Sequence, residues 1–259
     1  QPWSEVFSDL SRPLLLDIGC AKGRWIEEMA AENPVKLVKD GKPFNYCGVE
    51  LYGPLMDIAN AQLKSRIERE GCQKNLHYVS GNINNSLQSM KIPNLHTVCI
   101  QFPDPWIKKR KRRVVSEKFA MELGMLLPED GQVYISTDYH ELAVDMRSAF
   151  LSTGLFESIC QPTCDVNFVA GTPPQSPNED GPTITTNSLY ETMPSVVTWK
   201  GTRKIPWLKH RPFFLGTERD KVCEQHWRPN WRCLFRRTQV SQSPGFEEPG
   251  LSVCSHPKQ

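Results

Sequence analysis

Val98 to Val115 reads VCIQFPDPWIKKRKRRVV, and it constrains the fold more than any other stretch. Val98 to Phe102 is a short apolar run of strand-like composition. Pro103 and Pro105 each lack an N–H and fix their own φ, so the strand must stop there. Asp104 lies between the two prolines, and the residue ahead of a proline is held out of the helical region. Its carboxylate therefore stands on a stiff corner at the carboxyl end of a strand. Trp106 follows, then six consecutive cations: Lys108, Lys109, Arg110, Lys111, Arg112 and Arg113.

Such a strip can neutralise nucleic-acid phosphates. A carboxylate accepts hydrogen bonds only, so Asp104 suits a base edge that donates them. A basic run standing alone is more often a solvated face or a localisation signal. This one is welded to an apolar strand and followed by Val114-Val115 and a helix-like segment. We therefore read it as part of a folded site.

Around this stretch, strands and helices alternate. Leu14-Leu15-Leu16-Asp17-Ile18 runs into Gly19-Cys20-Ala21-Lys22-Gly23, and Arg24 to Ala31 has helical composition. Glycines in such a turn let the backbone approach a ligand closely, although the same turns also simply join a strand to a helix. Val35 to Phe44 reads as an inserted loop. Tyr46 to Leu51 is the second strand, ending at Glu50. An acid there holds ribose hydroxyls in nucleotide-binding α/β folds, usually about 20 residues past the glycine turn. The inserted loop accounts for the longer spacing here. Leu55 to Arg69 reads as a helix, with Gly71 as its stop signal. Leu76 to Val79 is the third strand, followed by Asn82, either an adenine contact or a turn former. His96 to Phe102 is the fourth.

Ser116 is expected to cap a helix running to about Leu127. Gln132 to Ser136 is the fifth strand, ending at Thr137-Asp138-Tyr139, and Glu141 to Ser152 is the next helix. Leu215 to Asp220 opens another helix, and Trp231 to Arg237 is the last strand. Residues 162–202 read as a loop insertion and 239–259 as a disordered tail, leaving one domain over 1–238. The alternation predicts a mostly parallel, doubly wound sheet with its polar corners on one edge, where such sheets bind ligands.

Composition narrows the function. The 259 residues carry a net charge of only +2, so the basic character is local, at Lys108 to Arg113 and at Lys200 to Arg211. That pattern suggests a directed polyanion site. The nine cysteines form no regular framework and read as reduced thiols inside a cell. Cys160 with Cys164, or Cys223 with His226, make half a zinc site without a second pair, so no metal is expected. No apolar run approaches the ~20 residues of a membrane helix. The chain starts at Gln1 without a signal peptide, as expected where a targeting segment has been removed or left out.

Taken together, these motifs resemble the tRNA (guanine-N7)-methyltransferases from about Leu14 to Arg237. The resemblance rests on Asp17 to Gly23, Gly48-Val49-Glu50, Phe102-Pro103-Asp104-Pro105-Trp106 with its basic run, Ser136-Thr137-Asp138, and Thr217-Glu218-Arg219-Asp220. It implies a Rossmann-like, seven-stranded sheet, S-adenosyl-L-methionine as methyl donor, and a guanine in the tRNA variable loop as acceptor. It places Gly19 and Glu50 at the donor, with Asp17, Gly23, Leu51, Asn82, Ile83 and Gln101 beside them. Asp104 matches the catalytic position. Lys108, Asp138, Thr217, Glu218 and Asp220 match substrate positions, and Lys109, Arg110, Lys111, Arg112 and Arg113 fall on the RNA backbone. The family usually has Glu where this chain has Asp220. Trp106 resembles the bacterial branch, which works without a separate protein subunit; a plastid or other organellar enzyme of that descent fits the cysteines and the insertion. Two rivals share these features: a methyltransferase of another RNA base or a protein, and an inactive RNA-binding relative.

Overall fold

The computed structural model describes residues 2–32, 38–39, 41–70, 75–159, 207–208, 211–213, 215–226 and 228–239. The loop insertion, the tail beyond Gln239, Gly71 and most of the Lys200 to Arg211 patch lie outside them.

A single helical turn, α1, Trp3–Val6, opens the described chain. The frame is set by strand β1, Leu14–Ile18, whose five residues are all buried. A strand covered on both faces reads as a near-continuous apolar run, here interrupted only by Asp17, the pattern of parallel sheets flanked by helices. On one side it pairs in parallel with β4, Asn45–Glu50, with Leu16 opposite Cys47. On the other it pairs in parallel with β6, Leu95–Gln101, with Leu16 opposite Val98. Strand β5, Leu76–Ser80, extends the sheet beyond β4, and β7, Gln132–Thr137, extends it beyond β6. The antiparallel strands β9, Trp231–Arg237, and β8, Phe156–Ser158, complete the order β5-β4-β1-β6-β7-β9-β8. The seven-stranded, mostly parallel sheet expected from the sequence is present.

Alternate residues of each strand serve opposite faces. Leu14, Leu16, Val98, Ile100, Ile135 and Phe235 meet one helix layer. That layer contains α5, Glu117–Leu126, and α6, His140–Ser152. Leu15, Cys99, Tyr134 and Leu234 face the other, formed by α2, Arg24–Glu32, and α3, Gly53–Glu70. In α2 the buried residues are Trp25, Ile26, Met29 and Ala30, a one-sided stripe at helical spacing. Ser116 caps α5 as expected, its side chain accepting from Phe119 N over 3.2 Å.

Most element ends fall within a residue or two of the sequence reading, strand β8 has no counterpart in it, and two further differences have a local cause. The described part of the inserted loop pairs β2, Val38–Lys39, with β3, Lys42–Pro43, around Gly41 at φ +73°. Gly41 supplies the positive φ that so tight a turn favours. Strand β6 stops at Gln101 rather than Phe102, because Phe102 turns to φ +49°, although its N–H still donates to the Ser136 carbonyl of β7 over 2.8 Å.

A candidate nucleotide and RNA site at the carboxyl edge of the sheet

The carboxyl ends of β1, β4, β6 and β7 lie side by side because these strands are parallel. The motif residues Gly19, Glu50, Asp104 and Asp138 lie at or just past those ends.

After β1 the chain turns through Gly19 at φ +80°, Ala21 at φ +50° and Gly23 at φ +74°. The Gly19 and Cys20 N–H groups both donate to the Val49 carbonyl, at 2.8 and 3.2 Å, which pins the turn against β4. A Cβ at Gly19 would meet no heavy atom within 4 Å, so the bare backbone faces open space. Gly23 has the opposite reason to be glycine. A Cβ there would lie 2.5 Å from the Tyr78 ring, whose hydroxyl donates to the Gly23 carbonyl over 3.0 Å. Gly48 is similarly crowded, by Cys20 Sγ at 2.8 Å.

Glu50 joins this turn to the next loop. One carboxylate oxygen accepts from Ala21 N and the other from Tyr52 N, both over 3.1 Å. Each oxygen keeps lone-pair capacity for a ligand hydroxyl. Leu51 and Tyr52 stand beside it with 68% and 61% of their surface exposed. Asn82 caps the short helix α4, Ile83–Ser86, and accepts from Asn84 N over 3.1 Å; Ile83 is buried beneath it. The Asn82 side chain thus serves as a helix cap. Asp17 is buried at 5% exposure. Desolvation pushes its carboxyl up to about 7, the Gln101 side chain draws it partly back, and the nearby Glu50 charge adds to the rise. Bare backbone, a held carboxylate and an exposed apolar lip fit a nucleoside with ribose hydroxyls and a flat base.

Beyond β6 the corner is strained on both sides. Phe102 at φ +49° and Trp106 at φ +38° bracket Pro103-Asp104-Pro105. Bulky residues in that region cost on the order of 1–3 kcal/mol each and persist only where the surroundings over-determine them. Part of the surroundings is Arg113. It is buried at 6% exposure, its Nε donates to the Pro105 carbonyl over 2.7 Å, and its Nη1 bonds to Asp145 on α6. Asp104 itself is exposed and takes no hydrogen bond among the described residues.

The cationic strip therefore divides. Arg113 is a buried tie and not an open phosphate contact. Arg110 pairs with Glu141 and, over 3.7 Å, with Asp145. The Arg112 guanidinium lies 4.9 Å from the Trp106 ring centroid. Lys108, Lys109 and Lys111 are exposed and have no ion-pair partner among the described residues.

The late motif is equally divided. Thr217 and Asp220 form a capping box at the start of α7, Glu218–Gln225. Asp220 is buried at 1% exposure and also receives Asn230 over 2.7 Å and Arg232 over 3.1 Å. Thr217 and Asp220 thus shape the start of the helix. The residues between them reach the rim: Glu218 pairs with Arg24 beside the glycine turn, and Arg219 donates to Asp138 through Nε over 3.1 Å. Arg24 and Arg219 carry no signal of a role in the sequence, although Arg219 sits inside Thr217-Glu218-Arg219-Asp220, and Arg113, expected on the RNA, is instead the buried tie. Cys223 and His226 bring no metal cluster together, and none occurs among the described residues. No described helix is long and apolar enough to cross a membrane.

A family model described as "Putative methyltransferase" matches residues 11–171. The tRNA (guanine-N(7)-)-methyltransferase of Synechocystis sp. is 34% identical over 241 residues, covering 91% of this chain and 88% of that protein. The protein of the same name from Thermosynechococcus vestitus is 42% identical over 162 residues, or 61% of this chain and 70% of its own length. The one from Trichormus variabilis is 30% identical over 241 residues, covering 91% and 86%.

Proposed function

The chain belongs to the tRNA (guanine-N7)-methyltransferase family, and we propose that it methylates N7 of a guanine in the variable loop of tRNA, using S-adenosyl-L-methionine. The observation that carries this reading is one sheet edge. There a glycine turn open to a ligand, a held ribose-type acceptor, an exposed carboxylate and three lysines without ion-pair partners among the described residues come together. When bound, S-adenosyl-L-methionine supplies an electrophilic methyl group.

The residues at that edge divide the remaining work. Gly19 offers backbone without a side chain in the way, and Glu50 accepts ribose hydroxyls. Leu51 flanks the base with Ile83 packed behind it, Gly23 and Asn82 shape the loops, and Asp17 and Gln101 line the donor side at the ends of β1 and β6. Guanine N7 carries a free lone pair at neutral pH, so no residue must first remove a proton from it. Asp104 is left with two tasks, accepting the guanine N–H donors and offsetting the positive charge that the alkylated ring gains. Lys108 contacts substrate beside it, with Lys109 and Lys111 on phosphates. Asp138 and Glu218, held by Arg219 and Arg24, border the acceptor side. Thr217 and Asp220 contribute by placing them.

The bacterial-type Trp106 and the long alignment with bacterial proteins support an enzyme that needs no separate protein subunit. Five described cysteines are free thiols, which supports an intracellular location. The test is incubation of the protein with labelled donor and mixed tRNA, followed by mapping of the modified base. Label at guanine N7 in the variable loop is expected. Label at another atom or base, or none, overturns the reading.

A further inference from the structure

Trp106 has no role in the division of work above, yet the fold leaves it partly open. It retains 38% exposure, next to Ile107 at 59%. Its backbone sits at φ +38°, a conformation that a bulky residue rarely holds. The Arg112 guanidinium lies over the ring at 4.9 Å, and Lys109 N donates to the Trp106 carbonyl over 2.9 Å, closing the turn beneath it. Lys108, Lys109 and Lys111 follow it in the chain without ion-pair partners among the described residues. A corner residue with nothing to bind would be served by a small or polar side chain. A partly exposed indole beside a guanidinium, next to exposed lysines, is the composition that stacks unpaired bases.

We propose that Trp106 and Arg112 form a stacking platform for an unpaired RNA nucleotide next to the guanine that enters the Asp104 site. The inference rests on the tRNA-methylating reading and deepens it, since it names a second base that the enzyme must hold. Asp104 and Trp106 are two residues apart on one stiff corner, so a stacked neighbour fixes where the target guanine can lie. The lysines hold the backbone of the same strand. Selectivity then comes from the unpaired state of the neighbour more than from its identity, because every base offers a π-face. A target guanine whose neighbour is locked in a duplex is a poor substrate.

Because the chain has seven tryptophans, intrinsic fluorescence cannot isolate this one, and the probe belongs on the RNA. A tRNA carrying 2-aminopurine beside the target guanine is expected to change fluorescence on binding the wild-type protein. Trp106→Phe should keep most of that change. Trp106→Leu should lose it and raise the KM for tRNA roughly 10-fold or more, with donor affinity unchanged. In parallel, 5-iodouridine at the same position should photo-cross-link to the peptide containing Trp106 in the unmutated protein, a result independent of whether any variant folds. Cross-links confined to other peptides overturn the proposal, as does a Trp106→Leu variant with unchanged fluorescence response and KM. Wild-type transfer to guanine N7 is measured on the same tRNA. If that transfer occurs while Trp106 proves indifferent, the stacking inference alone has failed.

Discussion

Arg113 donates from Nε to the carbonyl oxygen of Pro105 over 2.7 Å, tying the last residue of the cationic run to the corner that carries Asp104. The same guanidinium bonds to Asp145 on α6, so the corner is fastened to a helix outside the site. Arg113→Ala should therefore behave as a structural loss. We expect about 1–3 kcal/mol of destabilisation in urea unfolding and a lower kcat from a loosened Asp104. The salt dependence of tRNA binding should stay as in the wild type. A reduced salt slope with full stability would return Arg113 to the phosphate-binding residues.

The three exposed lysines of the run predict the reverse. Replacing Lys108, Lys109 and Lys111 by Gln should leave stability within about 0.5 kcal/mol, as for most exposed positions. Binding of tRNA should weaken, and the slope of log K against log salt should flatten by about 0.7–0.9 for each phosphate that is no longer neutralised. Titrations at several salt concentrations measure both. An unchanged slope would make the strip a solvated face.

Glu50 bridges two loops at the donor site through Ala21 N and Tyr52 N. Glu50→Ala removes the ribose acceptor and frees both loops. Donor affinity should fall by on the order of 1–3 kcal/mol, roughly 5- to 150-fold, with tRNA affinity nearly intact. Calorimetry with donor alone decides it, and an unchanged dissociation constant would remove Glu50 from the site.

Much of this arrangement was legible in the sequence because it is local. Pro103 and Pro105 stop a strand wherever they occur, Ser116 precedes a helix-forming run, and alternating strand and helix patterns predict parallel order. What stayed hidden depends on residues far apart in the chain. Nothing in the run from Lys108 to Arg113 tells its buried member from its exposed ones, because that depends on Asp145, 32 positions away. Asp220 reads as a rim residue until Asn230 and Arg232 close over it. Strand β8 is three residues long and recognisable only by its pairing with β9.

Asp17 makes stability depend on pH with a definite sign. Burial holds its folded pKa at about 7, above its ordinary value of 3.8. Between those values the folded protein keeps a proton that the unfolded chain releases, so stability falls as pH rises through the window. The full advantage is present below about pH 4 and is lost above about pH 7, at up to roughly 1.4 kcal/mol per pH unit between. Asp17→Asn cannot ionise, and its melting temperature relative to the wild type should rise between pH 5 and about 8. A constant difference across that range would mean that Asp17 is ionised in the folded protein throughout.

Asp104 carries the sharpest expectation. It is exposed, takes no hydrogen bond among the described residues, and is held by strained neighbours at Phe102 and Trp106. Its carboxylate thus contributes little to the fold, and the strain around it gains its purpose from what it presents. Asp104→Asn keeps the size, removes the charge and turns one acceptor oxygen into a donor. That donor would oppose the guanine N–H groups, and the positive charge forming on the methylated ring would lose its counter-charge. Folding and donor binding should survive unchanged. Turnover should fall roughly 10²-fold or more, the scale on which a positioned electrostatic group acts in a transition state. Single-turnover methylation at saturating tRNA and donor isolates the chemical step from binding. Near-normal turnover there would leave Asp104 as a corner residue and move the charge-stabilising role to Asp138, the neighbouring carboxylate after β7.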